Sequence, residues 1–143
     1  MNRRPHAPQA CALPGCATPR RAEDSLAPGR SSVKYTWAME IRDLKKLARF
    51  SEERLLKMPV FDSERMLLDL YALLPGQAQR VHAHEGSDKV YVVLEGEVVV
   101  RVGEEEALLA PGMAAFAPAR VPHGVRNESA SPALLLVVMA PRP

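Results

Sequence analysis

The sequence predicts an all-β body, a sandwich or a closed barrel, and three observations predict it. From residue 63 onward, short apolar runs of strand length follow one another, at 64–74, 78–84, 89–95, 97–102, 106–110, 113–117, 123–127 and 133–140. Turn-forming residues separate them: Pro75-Gly76, Glu85-Gly86-Ser87, Glu95-Gly96, Gly103, Pro111-Gly112, Pro118 through Pro122, and Asn127 through Pro132. No internal repeat of roughly 20–50 residues runs through the chain, so stacked-repeat architectures are set aside. About eight short strands at close, regular spacing fit a sheet folded on itself.

The elements follow in order. Residues 1–38 hold five prolines, scattered arginines and no hydrophobic period. Such a stretch buries too little surface to offset its ordering entropy and is expected to be a disordered leader, with Met39 a candidate natural start. Arg3-Arg4 is not followed by an apolar core, and Leu13-Pro14-Gly15-Cys16 is only a faint match to a lipoprotein box. Residues 39–62 are expected to form a helical lead-in. Leu44, Leu47 and Ala48 stand at helical spacing, Ser51 can cap a second short turn, and Pro59 stops it. The barrel is expected over 63–141. Met66 to Leu74, Val90 to Leu94 and Leu134 to Met139 are apolar on both faces apart from Asp69. A strand with one wet face would alternate, so something outside the barrel must cover these strands. The lead-in can cover part, and a second copy of the chain another part, which predicts a homodimer.

Composition narrows the function. The chain has 143 residues, the size of one ordinary domain, and a net charge of +2. Residues 1–38 carry six basic side chains against two acidic, a net +4, leaving the remainder at −2. Nothing in that balance points to nucleic acid, and no apolar run approaches the roughly 20 residues that span a bilayer. Cys11 and Cys16 both lie in the leader. A body without cysteine needs no disulfide and suits a reducing cytoplasm. Two leader thiols with only His6 nearby make a poor metal site.

The chemistry-bearing residues are histidines. Beyond His6 the chain has three, His82, His84 and His123. His82 and His84 are two apart on a strand, so their side chains leave the same face. His123 begins another strand about 40 residues later, and a closed barrel can bring it to the first pair. Three neutral imidazoles in one cavity are ready ligands for a divalent transition metal such as Fe, Mn, Ni or Zn. Three unrelated polar residues are the plainer alternative.

These residues carry a resemblance. The stretch is similar to the cupins, small jelly-roll barrels, whose first motif runs G-x5-H-x-H-x(3,4)-E-x6-G and second G-x5-P-x-G-x2-H-x3-N. Gly76, His82, His84, Lys89 and Gly96 keep the spacing of the first, and Gly112, Pro118, Arg120, His123 and Asn127 that of the second. Lys89 stands where glutamate is usual and Arg120 where glycine is usual. The resemblance implies a jelly-roll, or double-stranded β-helix, barrel with a metal held by His82, His84 and His123.

Lys89 replaces the fourth ligand. An ammonium about 5 Å from a dication at an effective dielectric near 20 is repelled by roughly 6–7 kcal/mol. That is nearly five pKa units, so several outcomes stay open. The preferred one turns Lys89 to solvent or pairs it with Glu85, Asp88 or Glu97. Alternatively it stays neutral as a donor, or a bulge swings Asp88 inward as a substitute ligand. A barrel without metal would instead make Lys89 and the histidines a pocket for a small anion. Tyr91 and Val93 should share the inner face with Lys89. Arg120, before His123, is placed to hold a carboxylate at the mouth or to stand in solvent. Lys89, Tyr91 and Arg120 are therefore the candidate substrate contacts, and no catalytic residue is assignable. Three-histidine cupins include dioxygenases, so the resemblance implies a metal-dependent dioxygenase or isomerase acting on a small organic molecule. A sensor or storage barrel without turnover is the competing expectation.

Overall fold

The computed structural model describes residues 39–143, and the expectations for the leader, including its cysteines, lie outside the described residues. One short helix and nine strands follow: α1 (Leu44–Leu47), β1 (Leu56–Asp62), β2 (Leu67–Leu73), β3 (Ala78–His82), β4 (Asp88–Glu95), β5 (Val98–Val102), β6 (Glu105–Leu109), β7 (Ala114–Ala117), β8 (His123–Arg126) and β9 (Ala133–Ala140). They form a five-stranded sheet in the order β1-β2-β9-β4-β7 and a four-stranded sheet in the order β3-β8-β5-β6. Every pairing is antiparallel. This is the two-sheet roll expected, and each apolar run named above contains one strand of it, to within a residue or two.

The lead-in departs from expectation. Asp43, not Ser51, caps the helix, its Oδ1 accepting from Lys45 N at 3.1 Å and Lys46 N at 3.2 Å. The helix ends after four residues. Ser51 Oγ accepts only from Glu53 N, at 3.3 Å, in a bend. Residues 56–62, expected within the helical lead-in, are strand β1. Leu56, Met58 and Val60 alternate with Lys57 and Pro59, which is the period of a strand. Pro59 fits because β1 is an edge and the register slips between Pro59 and Phe61, so its missing N–H breaks no ladder.

Alternation then sorts the side chains. Tyr71 and Leu73 of β2, Tyr91 and Val93 of β4, Val98 and Val100 of β5, Val125 of β8 and Leu135 and Val137 of β9 meet between the sheets. The opposite face of the five-stranded sheet packs Val60, Leu70, Ala72 and Leu134 against Leu44, Leu47 and Ala48. The strands that are apolar on both faces are thus β2, β9 and β4, the centre of that sheet, and the lead-in covers part of their outer side. Among the described residues, no helix is long and apolar enough to cross a membrane.

Candidate metal centre

The four-stranded sheet and the segment after β3 bring the three histidines together. His82 closes β3 and His123 opens β8, and the two are register partners across that pair. A register shift between Gln79 and His82 marks a bulge that aims the end of β3 inward. His84 follows two residues on. Exposure alternates over 81–84, with Val81 and Ala83 outward and both histidines on the other face, the shared face that the spacing predicted. Ring centroids lie 4.7 Å apart for His82 and His123, 4.9 Å for His82 and His84, and 5.5 Å for His84 and His123. One ring nitrogen from each lies within 4.8 Å of the others.

The surroundings prepare these rings as donors. Nδ1 of His82 lies 2.8 Å from the Arg80 carbonyl, and Nδ1 of His123 lies 2.8 Å from that of Val121. A carbonyl only accepts, so each Nδ1 carries the proton and each Nε2 keeps its lone pair. His123 is fully buried, and its Nε2 has no hydrogen-bond partner. An orphaned buried acceptor costs about 1–3 kcal/mol, a penalty that a bound cation removes. Burial pushes the His123 pKa down to about 4, against a smaller upward pull from the Val121 bond. Burial also lowers His82 and His84. All three imidazoles are therefore neutral at physiological pH, the state that ligates metal. This donor set fits a divalent transition metal ion.

Lys89 does not turn to solvent. It is wholly buried on the inner face of β4, between the ring faces of Tyr71 at 5.4 Å and Tyr91 at 4.9 Å. Its Nζ donates to Gln79 Oε1 at 3.2 Å, and Tyr91 Oη donates to the same oxygen at 3.2 Å. Among the described residues, no carboxylate lies within ion-pair distance of it. Burial, reinforced by Lys57, lowers its pKa to about 7. The strand simply continues in register, so position 89 faces inward with Tyr91 and Val93, both buried. For the same reason Asp88 faces outward and does not enter the cluster. The bulge in β4 lies later, between Val93 and Glu95, and the Asp88 carboxylate instead accepts from Ala119 N at 2.8 Å.

Arg120 lies outside the pocket. Its side chain is 79% exposed, and its Nε lies 3.3 Å from the Glu85 carbonyl and 3.6 Å from the Glu85 carboxylate. Asn127 fixes backbone: its Nδ2 donates to the carbonyls of Leu73 and Ser131, and its Oδ1 accepts from Ser129. The structure adds residues that spacing did not single out. Gln79 joins Lys89 and Tyr91, and also lies 3.5 Å from Tyr71 Oη. Asp69, a break in an apolar run, is buried, with its pKa raised by burial. A cavity of about 360 Å³ opens beside His84, walled by Gly86, Ser87, Pro141 and Arg142 among others.

Comparison with known proteins agrees with this fold. The cupin-domain family model matches residues 69–139. An RmlC-like cupin from Desulfovibrio desulfuricans is 30% identical, with a TM-score of 0.65 over 73% of this chain and 98% of that one. The chain belongs to the cupin superfamily. This cupin is also similar to TT1209, a protein of Thermus thermophilus, at 83% identity and a TM-score of 0.72, covering 73% of this chain and all of that one. The tetracenomycin polyketide synthase protein TcmJ of Streptomyces glaucescens is 36% identical over 74 residues, half of each chain. This chain therefore spans about half the length of that curated relative.

Proposed function

We propose that this cupin binds a divalent transition metal ion, Fe, Mn, Ni or Zn, through Nε2 of His82 and His123 and a ring nitrogen of His84, and acts on a small organic molecule as an oxygenase or an isomerase. One observation carries the proposal: His123 Nε2 is buried without a partner and converges with nitrogens of two other neutral imidazoles. The protein's own part is orientation. The Arg80 and Val121 carbonyls hold the rings and their tautomers, so ligation costs little rearrangement. A bound ion would supply Lewis acidity and, for a redox metal, reactivity toward dioxygen. Three protein donors leave coordination positions open to substrate. Lys89 supplies an N–H donor inside the barrel, and a hollow of the surface borders His84. Arg120 meets a substrate only at the rim.

Metal content tests the proposal. Gently purified protein should carry close to one transition ion per chain by elemental analysis. His82→Ala and His123→Ala should each reduce that content about tenfold or more. Full occupancy in both variants would end the ligand assignment. Oxygen uptake by Fe(II)-loaded protein should then be measured with diketones, aromatic acids and thiols. The name of the Streptomyces relative refers to polyketide synthesis, which puts diketones and aromatic acids first. Stoichiometric metal with neither oxygen uptake nor isomerised product across the panel would favour a binding module without turnover.

A further inference from the structure

Strand β6 ends one sheet and β7 the other, and residues of both wall a single cavity of about 250 Å³. Val100 and Leu109, two residues of the core between the sheets, line it together with Val102, Ala107, Ala115 and Phe116. Alternation explains why the seam is open. Glu105, Ala107 and Leu109 leave β6 on one face, and Leu109 is in the core. Ala115 is the register partner of Tyr91, which faces inward, so it shares that direction. The inward positions of the two facing edges are thus held by alanines. Their methyl groups are too short to fill the space between sheets that pack about 10 Å apart.

One row of the four-stranded sheet ties this cavity to the histidines. His82 pairs with His123, His123 with Val102, and Val102 with Glu105. Cross-strand partners share a face. Counted in strand spacings, Val102 stands about 5 Å from His123 in this row and Glu105 about 10 Å. Glu105 lines the cavity, and among the described residues it has no ion pair. Glu106, the other acid on the wall, is neutralised by Arg126, whose two terminal nitrogens donate to it at 2.8 Å. None of the described residues that line the cavity is basic. Phe116 is 56% exposed there, an aromatic face on which another ring can stack.

We infer that the seam between β6 and β7 is a ligand site for an uncharged or cationic aromatic compound of one or two rings, with Glu105 as the residue that turns anionic rings away. Size sets the ring count. An apolar cavity of about 150 Å³ holds benzene, and this one is larger. The apolar wall supplies affinity and Phe116 an aromatic contact. The Glu105 carboxylate stands beside low-dielectric surface, which focuses its field into the cleft. Through Val102 the inner end of the site adjoins His123. A ring held in the seam can therefore present a substituent to the histidine cluster, and this last step alone rests on the metal reading above. Within the panel named there, the seam favours diketones carried on aromatic rings over aromatic acids.

The test is equilibrium dialysis of the full chain, treated with EDTA, against indole, tryptamine and indole-3-acetate, which share a ring system and differ in charge. Indole and tryptamine should bind saturably, and indole-3-acetate should bind more weakly than tryptamine by about fivefold or more. Glu105→Gln should remove most of that preference. Ala115→Leu fills the gap and should weaken indole binding by about tenfold or more. Ala107→Leu does the same from the opposite edge if the first variant misfolds by circular dichroism. Absence of saturable indole and tryptamine binding up to their solubility limits, or unweakened binding in both leucine variants, overturns the inference. An undiminished preference in Glu105→Gln overturns the role given to that residue. Light scattering in which either leucine variant alone halves the mass would assign the seam to a second copy of the chain and overturn the ligand site. Because the protein is metal-free throughout, these failures are distinct from a failure of the histidine assignment, which metal content decides.

Discussion

Arg120 has φ +67°, a left-handed backbone at a residue with a Cβ. Its N–H donates to the His84 carbonyl at 2.8 Å, so the turn before His123 cannot relax without releasing the segment that follows β3. That geometry explains why glycine is usual at this point of the motif. Its exposed contact with Glu85 contributes little. Arg120→Gly should therefore raise stability by about 0.5–1 kcal/mol, seen as a higher urea midpoint at unchanged slope. Lys89 makes a second prediction. Its pKa is 10.5 in an unfolded chain and about 7 in the fold. Between those values the unfolded chain binds more protons, so stability rises with pH. The gain is on the order of 5 kcal/mol if the whole interval is traversed. Burial raises the phenols of Tyr71 and Tyr91, which reverses the trend above about pH 10. On the acid side His123, at about 4 in the fold, makes stability fall as pH drops from about 6.5 toward 4. Urea unfolding between about pH 7 and 9.5 should show the rise in metal-free wild type and not in Lys89→Met. A flat wild-type profile would mean that Lys89 is not desolvated as described. The inward direction of Lys89 was legible from strand alternation, which placed Tyr91 and Val93 beside it. Its partner was not, because Gln79 lies on another strand and no local pattern encodes a cross-sheet hydrogen bond.

At the level of elements, turn residues and apolar runs locate eight strands because each run is bounded by glycine, proline or a polar cluster. Strand β1 escaped because Pro59 and its lysine- and glutamate-rich neighbours imitate a helix end, while the edge position that tolerates proline is a tertiary fact. The convergence of the histidines was legible from motif spacing. That His82 and His123 are direct register partners was not, because it depends on the bulge after Gln79. Gly124 holds that bulge close. A Cβ there would stand 3.0 Å from the Gln79 carbonyl oxygen and 3.2 Å from Val81 Cγ2. Gly124→Val should push β3 away from β8, costing about 1–3 kcal/mol of stability. Because His123 is the adjacent residue and His82 lies across the pair, Mn(II) affinity should fall with it. Gly86→Ala is the control, since nothing lies within 4 Å of its added carbon. A Gly124→Val protein with undiminished Mn(II) affinity would show that the bulge does not set the histidine geometry.

For the whole molecule, the outer face of the five-stranded sheet is apolar and needs a cover. Among the described residues, a helix of four residues supplies Leu44, Leu47 and the adjoining Ala48. Met58, Phe61, Leu68, Leu94 and Leu136 pack beneath and remain half-buried. Phe50 is 43% and Ile41 75% exposed nearby in the sequence. Among the described residues strand β1 borders this face as the sheet's edge, and an edge beside apolar surface invites pairing. A second copy would supply a self-complementary surface under twofold symmetry, and a stable pair buries about 1,200–2,000 Å² in total. Light scattering at micromolar concentration should therefore give twice the chain mass. Ile41→Asp with Phe50→Asp should shift that mass toward the monomer while circular dichroism stays unchanged, because neither side chain belongs to the core between the sheets. The histidine cluster draws its ligands from β3, β8 and the segment between β3 and β4 of one chain. Mn(II) binding should thus survive dissociation. A wild type that is monomeric at these concentrations, or a double variant that remains dimeric, would remove this face from consideration as the interface.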